Sequence, residues 1–149
     1  MPVQLMNLGS PPTFSAPPGQ FIGIMAGGDR AIRNAVEGAE DSEKMGATDL
    51  SLLSPPLGTN DVVVGIASSG RTPYVLGGLK YARSVGAVTI GLACVQPSEL
   101  ERLCDIPIEC VTGPEVVTGS TRLKAGTATK MVFALSLSCI LTELIMLVE

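Results

Sequence analysis

An α/β fold, a doubly wound parallel sheet flanked by helices, is what this sequence predicts, and three observations predict it. From Phe21 onward, short apolar runs alternate with helix-length segments, which is the rhythm of βαβ units. One of these runs, Asp61-Val62-Val63-Val64-Gly65-Ile66, is rich in β-branched residues, as a parallel strand buried on both faces is. The chain has 149 residues, 46% hydrophobic and 16% charged, which suits one core and excludes both two independent domains and a disordered tail.

The elements follow in order. Residues 1–20 hold Pro2, Pro11, Pro12, Pro17 and Pro18, and Pro-Pro pairs fit neither a helix interior nor a central strand, so this is an extended lead-in. Residues 21–25 read as a strand, Gly27-Gly28 as its turn and residues 29–36 as the start of a helix. A loop through Ser54-Pro55-Pro56 and residues 58–60 precedes the strand at 61–66. Residues 74–85 carry Val75, Leu79 and Ala82 at helical spacing, with Gly86 where a C-terminal cap belongs. Residues 88–93 are the next strand, 98–104 a short helix and 106–111 a further strand; right-handed crossovers then make the sheet. The last helix is expected from about Lys130, apolar nearly all round through Leu137, Ile140, Leu141, Leu144, Ile145 and Val148; either it packs in a dimer interface or the chain is cut short.

Composition narrows the chemistry. There is no histidine, which removes Ser-His-Asp and Cys-His catalysis and His-ligated zinc, so acid-base work falls to carboxylates, Lys or Tyr. Cys94, Cys104, Cys110 and Cys139 show no CxxC spacing and read as reduced thiols, so neither a metal nor another cofactor is expected. The net charge of −4 lacks the basic footprint of a nucleic-acid binder. No secretory signal opens the chain, and the uncharged run 131–142 is closer to a buried helix than to a membrane span; a cytoplasmic protein is expected.

Three segments can carry chemistry. Ser68-Ser69-Gly70-Arg71-Thr72-Pro73 lies between a strand and a helix, where hydroxyls, free N–H groups and a dipole end suit a phosphate, although a polar turn that only caps the helix would look similar. Glu37, Glu40, Asp41 and Glu43 crowd together near the expected end of the first helix, where carboxylates oppose the dipole. Residues 113–130 mix hydroxyls, glycines and the cations Arg122, Lys124 and Lys130 just before a helix, a second anion-friendly segment.

The run 113–130 resembles the signature shared by N-acetylmuramic acid 6-phosphate etherases and glucokinase regulatory proteins, both built on SIS (sugar isomerase) domains. Ile24-Met25-Ala26-Gly27-Gly28, Val36-Glu37-Gly38-Ala39-Glu40-Asp41-Ser42 and residues 61–74 are similar to the etherase branch, and the resemblance covers about residues 11–141. It implies an SIS-type, flavodoxin-like sheet over residues 21–149, a sugar-phosphate substrate and a homodimer. It also implies a lyase that cleaves the lactyl ether of N-acetylmuramic acid 6-phosphate to N-acetylglucosamine 6-phosphate and D-lactate. By motif, Glu40 falls on the catalytic glutamate, Glu37 supports it, and Ser68, Ser69, Gly70, Thr72, Ser120, Thr121, Arg122 and Lys124 bind the substrate.

The departures from that pattern matter as much. The family's first strand, its Ser/Thr-rich phosphate loop and a second glutamate have no counterpart; the match starts at Ser10-Pro11-Pro12-Thr13, with Gly9 in the glutamate's place. In a 2-1-3-4-5 strand order the first strand is central, so its absence is expected to leave inner strands unpaired. The 149-residue chain alone is then expected to unfold broadly and to release no D-lactate. A non-catalytic sugar-phosphate-binding regulatory protein is the alternative from another functional class.

Overall fold

The computed structural model describes residue 17 and residues 19–146, with side chains as far as residue 136. The chain divides into two compact units, one of residues 24–129 and one of the segments on either side of it. The central unit holds three parallel strands, β1 (Val62–Ile66), β2 (Val88–Ala93) and β3 (Ile106–Glu109), in the order β1-β2-β3. Val64 lies opposite Ile90 and Ile90 opposite Ile106. Helices α1 (Glu43–Ser51), α2 (Pro73–Ser84) and α3 (Glu99–Leu103) complete it, and α4 (Lys124–Met146) begins in it. This is an α/β, SIS-type arrangement, and its strand order matches the 3-4-5 run of a flavodoxin-like sheet.

Glycines let the crossover helices lie close to the sheet. A Cβ on Gly65 of β1 would come within 2.7 Å of Leu79 Cδ1 on α2, and one on Gly91 of β2 within 2.8 Å of Cys104 Sγ beside α3. Leu76 and Leu79 of α2, Leu100 of α3, Cys104, Ala67 and Ala93 form the core on this side. Burial pushes the Cys104 thiol upward in pKa. Just past β2, Cys94 packs instead against the first turns of α4, its Sγ lying 3.6 Å from Ala125 O and 3.5 Å from Thr129 Oγ1. At the start of β2, the fully buried Thr89 donates from its N–H and its hydroxyl to Asp105 Oδ2, at 2.9 and 2.7 Å. Those bonds hold the Asp105 carboxyl below the usual carboxylate range.

α1 crosses α2 at very short range. A Cβ on Gly46 would lie 1.9 Å from Tyr74 O, and one on Gly77 2.0 Å from Glu43 O, so only glycine permits this approach. Tyr74 Oη donates to Asp49 Oδ2 at 2.6 Å and Lys80 Nζ to Glu43 Oε2 at 2.6 Å across the same crossing. Burial, then the Asp49 carboxylate, raise the Tyr74 hydroxyl well above the ordinary tyrosine value.

Several expectations are corrected. Residues 21–25 are not a strand: they have no ladder partner among the described residues, and Ile22 is 50% exposed. An extended segment without a neighbour has no hydrogen bonds to make it a strand. Residues 29–36 are not a helix. Only a 3₁₀ turn, Asp29–Ile32, forms there; it buries none of its residues, and an unburied short helix is marginal. The first α-helix is α1, after a 3₁₀ turn at Ala39–Asp41, so the acidic cluster precedes a helix rather than ending one. Its dipole relation is therefore favourable.

β1 is not buried on both faces. Val62 and Val64 are 56% and 39% exposed, while Val63 and Gly65 face α2. The last helix starts at Lys124 rather than Lys130. The strand expected at 106–111 ends at Glu109. The lead-in up to residue 16 and the apolar side chains from Leu137 onward lie outside the described residues.

Candidate functional site

The segment after β1 is built by hydrogen bonds that turn the chain sharply into α2. Ala67 N–H donates to Leu92 O at 3.0 Å and extends the ladder by one residue; Gly70 N–H donates back to Ala67 O at 2.8 Å and closes the turn. Gly70 has φ +67°, and a Cβ there would lie 2.5 Å from Ser98 Cβ, so glycine is required by both conformation and space. Leu100 N–H donates to Gly70 O at 3.2 Å, which ties the turn to α3. Thr72 stands at the start of α2, its carbonyl accepting from Val75 and Leu76, and its side chain makes no cap; Pro73 takes the first helical position. Ser68, Ser69 and Thr72 are half-buried around this uncapped helix head.

The segment before α4 is organised differently. Glu115 accepts from Lys124 N–H at 3.0 Å and from Ala125 N–H at 2.9 Å, and Lys124 Nζ donates to Pro114 O at 2.7 Å. These backbone bonds hold the Glu115 carboxyl below the usual carboxylate range. The head of α4 thus carries an internal carboxylate, while Thr121, Arg122 and Lys124 are exposed and Ser120 is half-buried.

The loop after β1 and the first turns of α4 meet the same residue. Cys94 N–H donates to Ser68 O at 2.9 Å, and the Cys94 thiol lies against Ala125 and Thr129. The 3₁₀ turn Ala39–Asp41, which carries Glu40, packs against α2, the helix that the Ser68 loop leads into. Glu37 and Glu40 are both exposed, and among the described residues no hydrogen bond or ion pair joins either to the other candidates. No cluster of three metal-ligating side chains occurs among the described residues, and no helix there is long and apolar enough to cross a membrane.

An open cleft of about 390 Å³ lies beside the Ser68 loop, lined by Ser69, Arg71, Val95, Pro97, Ser98 and Glu99. Arg71 lies inside the segment that the sequence marks as anion-friendly, without a role of its own there; Glu99 is a lining residue that sequence reasoning passed over, and Glu115 is the cap it missed. Ser98-Glu99-Leu100-Glu101 carries a legible cap signal, realised as Ser98 Oγ accepting from Glu101 N–H at 3.2 Å. No comparable signal marks Glu115, nine residues before the N–H it caps.

Comparisons with known proteins fit this geometry. Residues 12–83 match the family model of the glucokinase regulatory protein N-terminal SIS domain. The N-acetylmuramic acid 6-phosphate etherase of Rhodopirellula baltica is 57% identical over 122 residues, 82% of this chain and 40% of its own. That of Exiguobacterium sp. is 59% identical over 121 residues, 81% of this chain and 40% of its own. These matches make the chain similar to the SIS-domain family of etherases and glucokinase regulatory proteins and support that family for it. The similarity to named proteins is to etherases: N-acetylmuramic acid 6-phosphate etherase 1 of Bacillus licheniformis is again 57% identical over 82% of the chain. The chain spans about 40% of the length of these curated relatives.

Proposed function

We propose that this chain carries a sugar-phosphate site and one acid/base residue of an N-acetylmuramic acid 6-phosphate etherase. The observation that supports this most is the 57–59% identity, over more than four-fifths of the chain, to relatives of that name. It favours the lyase over a non-catalytic regulatory protein.

In this reading the hydroxyls of Ser68, Ser69 and Thr72 take the phosphate at the head of α2, and Gly70 contributes to the site by shaping the turn that presents them. Ser120, Thr121, Arg122 and Lys124 close on the same ligand; the contacts of Cys94 with Ser68 on one side and with Ala125, in the helix that follows these residues, on the other support their convergence. Glu40, with Glu37 in support, acts on the ring-opened sugar. A carboxylate removes the proton from the carbon next to the aldehyde, and the electron pair forms a carbon–carbon double bond as the ether bond breaks. A carboxylic acid protonates the departing oxygen, D-lactate leaves, and water adds across the double bond to give N-acetylglucosamine 6-phosphate. A cytoplasmic homodimer belongs to the same reading.

Glu→Gln at the Glu40 position of a full-length relative is expected to lower kcat by about 10²–10⁴-fold with KM little changed. Near-normal turnover in that variant removes Glu40 from the mechanism.

A further inference from the structure

We propose that Arg71 receives the lactyl carboxylate of the substrate, in the cleft it shares with Ser69 and Glu99. The proposal rests on the etherase reading and deepens it. The substrate named for the relatives carries two anionic groups at different ends, a phosphate and the carboxylate of its lactyl ether. One hydroxyl-rich loop at a helix head serves one of them. The second needs a cation of its own.

Arg71 is placed for that task. Among the residues lining the cleft it is the cation, and among the described residues its guanidinium makes no ion pair or hydrogen bond. Its backbone is held firmly: Gly70 is pressed against Ser98 and bonded to Leu100, and Arg71 N–H reaches Ser69 Oγ at 3.5 Å. A planar guanidinium on a fixed stem matches a carboxylate with two parallel hydrogen bonds. The rest of the lining suits the same ligand. The Glu99 carboxylate accepts from a sugar hydroxyl or an acetamido N–H, and Val95 and Pro97 offer an apolar surface to the methyl group of the lactyl ether. Ser98 frames the cleft, its N–H donating to Glu109 and its hydroxyl oxygen accepting from Glu101 N–H. Arg71 is a binding residue in this account. It sets specificity for an ether that bears a carboxylate over the product sugar that does not.

The test is calorimetric titration of the 149-residue chain with two probes, N-acetylmuramic acid 6-phosphate and N-acetylglucosamine 6-phosphate, which differ only in the lactyl ether. Arg71→Met is expected to weaken the first by about 10-fold or more, the worth of a charge-assisted hydrogen bond, and the second by less than 2-fold. Arg71→Lys should recover part of the loss for the first probe only. Because Arg71 is exposed and unpaired, the melting curve of each variant should match the wild type, which checks the fold. Equal losses on both probes would place Arg71 on the shared phosphate and overturn the assignment, and so would no loss on either. Wild-type chain that binds neither probe would instead refute the sugar-phosphate reading itself, and the assignment with it.

Discussion

Gly77→Ala is the substitution that most directly tests how the fold holds its candidate site. The added methyl would lie 2.0 Å from Glu43 O, 2.5 Å from Glu43 C and 2.6 Å from Glu43 Cα. Carbon contacts are optimal at roughly 3.5–4.0 Å, so α1 and α2 must part by about 1.5 Å along that line. The obstructing atoms are backbone at the first residue of α1, so no side chain can swing aside. Ala is about 1 kcal/mol better than Gly in a helix interior, which works against the clash. Overpacking typically costs about 1–3 kcal/mol, and more where backbone must move, so the clash wins by about 2 kcal/mol. At roughly 2–4 °C per kcal/mol for a chain near this size, the melting temperature should fall by about 4–8 °C. Gly78→Ala is the control. Its methyl meets Leu50 Cδ1 at 3.2 Å, the end of a flexible side chain, and Gly46 O only at 3.7 Å, so helix propensity and crowding nearly cancel. Thermal unfolding followed by circular dichroism measures both. A Gly77→Ala chain that melts at or above the Gly78→Ala chain would refute the close crossing, and with it the seat against α2 of the turn that carries Glu40.

Glu115→Gln should lower the melting temperature at neutral pH, because Lys124 N–H and Ala125 N–H are accepted by different carboxylate oxygens and the NH2 that replaces one of them cannot accept. The folded pKa of Glu115 is depressed, so its stabilisation is present above the ordinary carboxylate value and fades as pH falls below it. Melts across the acid range should show the gap between variant and wild type closing, and a gap independent of pH would contradict the cap. Tyr74→Phe should cost about 1 kcal/mol near pH 8 through the lost bond to Asp49, read as a shift in the urea midpoint. The folded pKa of Tyr74 is raised, so the wild type should lose stability above about pH 10, where tyrosine in the unfolded chain ionises, and the Phe variant should lose less. Parallel losses in the two chains would show that Tyr74 is not the group responsible.

Where local pattern and tertiary need agree, the sequence alone determined the structure. β2 occupies residues 88–93 as read, because a β-branched start between Gly86 and Gln96-Pro97 leaves little choice, and α2 and α3 carry Pro73 and Ser98 where helix starts should have them. The phosphate-friendly turn at 68–72 was legible for the same reason: strand, glycine and helix head adjoin in the chain. Tertiary structure decided the rest. Residues 21–25 have a strand's composition but no ladder, since a strand exists only through its neighbour. Residues 29–36 lack a surface to pack on, whereas Glu43–Ser51, with a glycine in its middle, is a helix because Gly46 and Gly77 let α1 lie against α2. α4 begins six residues early because Glu115, distant in sequence, caps its first N–H groups. The open cleft at Arg71 forms because the loops after β1 and β2 end on the same edge of a parallel sheet, an adjacency that hydrogen-bonded strand order creates and that no spacing along the chain encodes.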